Sequence, residues 1–402
     1  MEATRVWSTG ARIVSETSDA ADRPESAAAP ESESERECRT AREIRDQKRA
    51  WRREVAEARS KRTETLAQRL AEGPIRLAFR LAELAFMTLP LEHSLQLGRV
   101  LGGLGYLLLR GRRRVALENL ERAFGAEKSS AERRRIARRS FENVACVAIE
   151  FVRFGRITTR ELCRRVMTIH EPVLHDCFSK ERGVLALSGH IGTFEYIAAR
   201  GGRPCGYTTS LMGRRVKPPA VDRIVTGLRA ARGVPTINSA DGLVKVLRRL
   251  RNNEGVGIVL DQNMRQGVGI FVNVFGCAAS TTPGLALLAL RRKIPVMPVF
   301  CVRVGDGGRH AVFFLREIPL VETGDRDQDV LINTQRFSLV VEAVVRRWPE
   351  QWFWVHRRWR VRPEGEATPG PVAQRDESEF VADIEAQLDA VVLEIERRRG
   401  LS

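Results

Sequence analysis

Long apolar runs are missing from this 402-residue sequence. No stretch of 18 apolar residues occurs, so no segment has the plain pattern of a membrane-spanning helix. The nearest candidates are interrupted: Ile75 to Leu91 carries Arg80 and Glu83, and Ser94 to Leu109 contains Arg99. The N-terminus is polar and lacks the apolar core of a secretory leader. Cysteine pairs are lacking too. The seven cysteines (38, 146, 163, 177, 205, 277 and 301) are odd in number and include no C-x-x-C spacing. That excludes a disulfide framework and points to reduced thiols on the cytoplasmic side of a membrane. H-E-x-x-H, a Walker A sequence and a true G-x-G-x-x-G are all absent, which leaves metal and cofactor expected as none.

Lysine is scarce, with seven residues among 67 basic ones, yet the net charge reaches +17. Such a chain calls for an anionic partner: nucleic acid, an acidic membrane surface or a phosphorylated substrate. The arginines are spread along the whole sequence, without zinc-finger spacing or an aromatic RNA-binding signature, so nucleic acid is not expected.

Residues 1–70 are rich in Ala, Arg, Glu and Ser, with Trp7 and Trp51 as rare large apolar side chains. They predict a disordered or single-helix extension. From Pro74 to Leu109 two apolar helical segments flank Pro90, and the basic run Arg110 to Arg114 follows. Together they predict interfacial helices lying on an anionic membrane surface, attached peripherally through residues 74–114. Strand and helix then alternate: strands at Val184–Ser188, Val256–Leu260, Val296–Arg303 and His310–Leu320, and helices at 193–200, after Ser239, from Thr282-Pro283, and over Arg326 to Trp348. This order predicts an α/β fold with a mostly parallel sheet flanked by helices and an antiparallel edge. After Pro363 comes a linker and a final helix near 376–398, where Val381, Ile384, Leu388, Val391 and Ile395 form an apolar seam. Packing back onto the domain and dimerisation both fit that seam. The expected organisation is 1–70 extension, 71–363 main domain, and 364–402 linker with amphipathic helix.

The most informative segment is Gly183-Val-Leu-Ala-Leu-Ser-Gly-His190-Ile-Gly-Thr-Phe-Glu195. It reads as a strand, a small-residue turn holding one histidine, and a helix with a glutamate in its first turn. Inside one helix, residues five apart sit about 140° apart and cannot meet. A histidine left in the turn escapes that limit. Thr193 is the expected N-cap, and the Glu195 carboxylate would fix one imidazole nitrogen and leave the other as a base. Ser188 lacks the G-x-S-x-G frame of a nucleophile elbow, because Ala186 and His190 occupy the glycine positions. Asp261 ends an apolar strand beside Gln262 and Asn263, as a turn cap, a sugar-hydroxyl ligand or a support for the dyad.

Further segments follow in order: Gly255-Val-Gly-Ile-Val-Leu-Asp261-Gln-Asn263, Gly269 to Gly276, Thr281-Thr-Pro-Gly284, Ile294-Pro-Val-Met-Pro298, and Pro349-Glu-Gln-Trp352-Phe-Trp354-Val-His356-Arg-Arg-Trp359. With the His190 turn, from about Pro74 to Pro363, they resemble the bacterial lipid A late acyltransferases. The resemblance implies a glycerolipid-acyltransferase-like fold and transfer of a fatty acyl group from acyl carrier protein to a glycolipid hydroxyl at the cytoplasmic face of the inner membrane. It implies His190 as base and Glu195 as its partner. It also places Arg229 and Arg232 near a donor or headgroup phosphate; Asp261, Asn263, Arg357 and Arg358 are further candidate substrate contacts. Other acceptors on the same scaffold, such as a phosphatidylinositol mannoside-like lipid or an aminolipid, remain open, as does a non-catalytic basic binding protein.

Overall fold

A computed structural model describes residues 66–238, 242–363 and 376–400. The expectations for residues 1–65, for the cap at Ser239 and for the linker at 364–375 lie outside them. Four helices come first: α1 (Leu66–Thr88), α2 (Leu91–Leu108), α3 (Arg110–Phe124) and α4 (Ser130–Phe154). Pro90 separates the first two, as its lost amide and fixed φ require. Ser129 opens α4 with a capping box, its hydroxyl accepting from the Glu132 amide while that carboxylate takes the Ser129 amide.

Seven strands then form one sheet: β1 (Val166–Ile169), β2 (Val184–Ser188), β3 (Thr209–Gly213), β4 (Thr236–Asn238), β5 (Gly255–Val259), β8 (Val296–Val304) and β9 (Arg309–Phe314). Their spatial order is β1-β9-β8-β2-β5-β3-β4. Every pairing is parallel except β8 with β9. That exception is the hairpin closed by Gly305-Asp-Gly-Gly308, so the predicted antiparallel edge exists. It sits one strand inside the edge, since β1 adds beside β9. The helices of this half are α5 (Thr159–Arg165), α6 (Glu171–Phe178), α7 (Glu195–Gly201), α8 (Pro219–Ala231), α9 (Gly242–Arg251), α10 (Gly284–Arg292), α11 (Arg326–Arg347) and α12 (Ser378–Gly400). A separate antiparallel hairpin, β6 (Ile270–Val274) and β7 (Cys277–Thr281), packs by β6 against α11.

Because both faces of the sheet are covered, its strands are apolar on both sides. Leu185 and Leu187 of β2 enter one core cluster, while Val184 and its neighbour Ala186 belong to the other. The C-terminal seam is resolved by the same logic. Ile384, Leu388, Val391 and Ile395 of α12 are buried in the main core against α11, so the helix packs back onto the domain.

The N-terminal helices behave differently. Leu77, Leu81 and Leu84 of α1, and Leu97, Val100, Leu101, Leu104 and Leu108 of α2, are exposed at helical spacing. No described helix is long and apolar enough to cross a membrane.

Candidate active site

The strand β2 ends at Ser188 and hands the chain to a turn at the carboxyl end of the sheet. Strand β5, its parallel neighbour, ends two residues before Asp261. In open α/β sheets this rim is where ligands bind. His190 and Asp261 meet there. The His190 Nδ1 lies 2.7 Å from Asp261 Oδ1, and the His190 backbone amide donates to Asp261 Oδ2 at 2.7 Å. The Trp352 indole N–H donates to the same Oδ2 at 2.6 Å. On the outer side, the Gln262 amide nitrogen stands 3.2 Å from His190 Nε2. A donor on Nε2 and a carboxylate on Nδ1 select the neutral tautomer with its proton on Nδ1.

Burial pushes the Asp261 carboxyl up, but the imidazole and three hydrogen bonds outweigh it and hold the pKa at about 2. For His190, burial favours the neutral ring, while the Asp261 charge and hydrogen bond, with a smaller contribution from Glu195, raise its pKa above the ordinary value. The imidazole keeps 23 % of its side-chain surface exposed, so solvent or substrate reaches it.

The turn itself is held from below. Gly192 adopts φ +53°, and a Cβ there would collide with the Cys301 carbonyl oxygen. The expected cap at Thr193 is not formed: Phe194 is the N-cap of α7 and makes no side-chain cap bond. Thr193 Oγ1 instead donates to buried Glu150 at 2.5 Å. Arg303 grips the Glu150 carboxylate with two bonds of 2.7 Å, and His310 Nε2 lies 3.2 Å away. Burial pushes Glu150 up, yet His310 and Arg303 keep it well below the carboxylate range. Gln351 closes the brace. Its side chain bonds both backbone groups of Arg303, and its carbonyl accepts from Gly192.

The predicted His190–Glu195 contact is replaced. Glu195 is buried in the first turn of α7, where Arg229 at the end of α8 binds both carboxylate oxygens at 2.6 and 2.9 Å. A bidentate guanidinium outcompetes a single imidazole bond. Glu195 thus acts on His190 through its charge, and Asp261 supplies the contact.

Several predicted substrate contacts prove internal. Arg358 is 2 % exposed and donates to the Ser280 carbonyl and Thr281 Oγ1 of β7. Arg232 donates to the Ile157 carbonyl. Asn263 accepts from the Val361 amide and donates to the Met264 carbonyl, fixing the tryptophan segment rather than a ligand. Arg357 is the member of that group that is exposed. Trp352, Trp354 and Trp359 are core residues. His356 is a strut: its Nε2 accepts the Asn263 amide at 2.9 Å, and burial lowers its pKa to about 4.

Sequence reading missed Glu150, Arg303, His310 and Gln351. A signal existed for one of them. Glu150 falls among Val147, Phe151 and Val152 in the otherwise apolar stretch Val144–Val152, where a carboxylate persists only if paired.

A narrow apolar cavity lies between the sheet and helices α6 and α7, with about 560 Å³ of empty space including its open end. Val184, Ala186 and Ser188 of β2 form one wall, Gly257 of β5 another, and Phe178 and Phe194 contribute from the helices. Gly257 keeps it open, since a Cβ there would press on Leu211 at 2.8 Å. Phe194 joins cavity to base, its ring centroid 5.0 Å from that of His190.

The profile of the family described as "Bacterial lipid A biosynthesis acyltransferase" matches residues 79–361, the span that builds all of these parts. The chain is 27 % identical over 282 residues to the lipid A biosynthesis lauroyltransferase of Escherichia coli (strain K12), covering 69 % of this chain and 88 % of that protein. It is 23 % identical over 278 residues to the lipid A biosynthesis palmitoleoyltransferase of the same organism, covering 68 % and 86 %. A lipid A biosynthesis acyltransferase of Haemophilus influenzae matches over 148 residues at 25 % identity, 37 % of this chain and 45 % of that one. With this match across most of its length, the chain belongs to the bacterial lipid A biosynthesis acyltransferase family.

Proposed function

We propose that this acyltransferase moves a fatty acyl group from the thioester of acyl carrier protein to a hydroxyl of a lipid A precursor or related phosphorylated glycolipid. One observation carries the reading: a narrow apolar cavity lies beside an imidazole whose tautomer is set by a carboxylate, with Phe194 lining the cavity and packing on that imidazole. A fatty chain seated in the cavity would bring its thioester carbonyl to the rim. The acceptor hydroxyl then displaces the Gln262 amide from His190 Nε2 and gives its proton to that nitrogen as its oxygen attacks the carbonyl carbon. Asp261 stabilises the imidazolium, and the Arg229–Glu195 pair adds a fixed field beside it. Collapse breaks the C–S bond, and the departing thiolate takes the proton from Nε2. No covalent acyl-enzyme is required.

The exposed leucines of α1 and α2 support seating on the cytoplasmic leaflet of the inner membrane, with Arg110, Arg112 and Arg114 directed at lipid phosphates. Exposed Arg357, next in sequence to His356, whose ring receives the Asn263 amide, is assigned to the acceptor phosphate. The test is a reconstituted assay with acyl-carrier-protein thioesters and a phosphorylated glycolipid acceptor, read by mass spectrometry. Acyl ester formation that His190→Ala abolishes is the expected result. Turnover by a folded His190→Ala protein, or none by the parent, removes the proposal.

A further inference from the structure

Acyl transfer builds negative charge on the former carbonyl oxygen, and preorganised donors at that oxygen supply much of the rate. The backbone of the catalytic turn has little left to give. The His190 amide is bound to Asp261 at 2.7 Å, the Ile191 amide to the Gly189 carbonyl at 2.8 Å, and the Gly192 amide to the Gln351 carbonyl at 3.0 Å. One side-chain donor beside the turn is unspent. The Ser188 hydroxyl is 6 % exposed and has no hydrogen-bond partner among the described residues.

A buried hydroxyl without a partner costs about 1–3 kcal/mol, and most native proteins avoid it. Its direction is set by the strand. Leu185 and Leu187 face one core cluster, and the alternation of β2 puts Ser188 on the side of Val184 and Ala186. That side is the apolar cavity, which Ser188 lines two residues before the base. Phe194 lines the same end and touches the His190 ring. An acyl chain lying in the cavity therefore presents its one polar group, the thioester carbonyl, at the depth of Ser188, beside the base; the cavity's other unpaired hydroxyl, Ser210, stands opposite Val256, three positions along β5 from Val259, the partner of Ser188.

We infer that the Ser188 hydroxyl donates a hydrogen bond to the carbonyl oxygen of the bound acyl thioester and to the oxyanion formed from it. This rests on the acyl-transfer reading above. The serine is a donor, and its oxygen forms no bond to the acyl carbon. As the acceptor oxygen adds, the carbonyl π pair moves onto oxygen and the Ser188 hydrogen bond shortens. When the C–S bond breaks, the pair returns and the serine keeps its proton throughout. The bound donor satisfies the orphan hydroxyl, so the stability spent in the empty protein is recovered in the complex.

The experiment compares Ser188→Ala and Ser188→Thr in the full chain. For alanine, kcat is expected to fall about 100-fold, the usual loss for one oxyanion donor. The donor KM should stay within about twofold, and the acid limb of the pH profile should not move, because the His190–Asp261 contact is intact. The same variant should melt higher than the parent, since the unpaired hydroxyl is gone. Threonine should keep most of the rate. A second reading needs no turnover: the infrared carbonyl stretch of a 13C-labelled acyl thioester bound to His190→Ala should rise in frequency when Ser188→Ala is added. Parental kcat in a folded Ser188→Ala protein, or an unchanged stretch, overturns the inference. A parent that transfers no acyl group while the stretch still moves would instead overturn the proposed reaction and leave this contact standing.

Discussion

Asp261 binds His190 at two points, ring and backbone, with one carboxylate oxygen on Nδ1 and the other on the main-chain amide. The ring orientation and the path of the turn are thereby fixed by one side chain. Asp261→Asn keeps the size but can donate to Nδ1 and select the wrong tautomer. It should lower kcat by about 10³–10⁴, as such swaps do where an aspartate orients a catalytic histidine. Steady-state kinetics with a saturating thioester donor decides this, and a loss under tenfold would assign the role elsewhere.

The pH dependence has a defined sign. His190 must be neutral to accept a proton, and its pKa lies above 6.5, so kcat/KM should rise with pH through a midpoint above that value. Asp261→Asn should move the midpoint down, because burial then acts without the opposing charge. For stability the two groups act at opposite ends. Asp261, near 2 when folded against 3.8 for the free group, stabilises the fold at neutral pH and loses that contribution as pH falls toward 2. His190, raised when folded, contributes fully below 6.5 and loses its share as pH rises through the folded value. A His190 titration by NMR, with melting curves at acid and neutral pH, checks both limbs.

Neighbouring arginines should give opposite phenotypes. Arg358→Ala removes the donors to the Ser280 carbonyl and Thr281 hydroxyl, and should cost about 1–3 kcal/mol of stability. Exposed Arg357→Ala should leave the melting temperature alone and raise the acceptor KM more than it lowers kcat. A dephosphorylated acceptor should mimic it. Equal kcat/KM on phosphorylated and dephosphorylated glycolipid would reassign Arg357 to the surface.

Membrane seating is checked with vesicles. Replacing Leu77, Leu81 and Leu84 by Ser should abolish co-sedimentation with anionic vesicles while the protein stays folded, since these side chains are exposed and support no core. Alkaline carbonate should release the parent from membranes at least in part. Retention until detergent is added would contradict peripheral attachment.

Glu150→Ala strands Arg303 in a buried site. Breaking such a pair from one side costs about 3–5 kcal/mol, visible as a large drop in denaturant midpoint.

The strands, the hairpin at 305–308 and the turn at His190 were legible because glycine, proline and apolar alternation act locally. The placement of His190 in that turn could be read from the same window. Its contact was legible only as one of several roles for Asp261, a support for the dyad among them, because that residue is 71 positions away and nothing near His190 selects it. Glu195, five positions away, drew the assignment by proximity, but α7 begins at Glu195 and the side chain turns toward the end of α8. The arginines were hard to sort for a related reason. Their abundance hid which ones are structural, and only burial separates Arg358 from Arg357.

The braces of the catalytic turn come from distant parts of the chain. Thr193 reaches back 43 positions to Glu150, His190 forward 71 to Asp261, and Asp261 a further 91 to Trp352. Contacts of such sequence separation form late, because each must first close a long loop. During synthesis, therefore, the histidine emerges well before its carboxylate, and that carboxylate well before the tryptophan. A nascent chain that ends short of residue 352 lacks the indole that holds Asp261 in place, and one that ends short of residue 261 lacks the carboxylate too. The geometry of the turn is therefore completed only when the last of these distant contacts has formed.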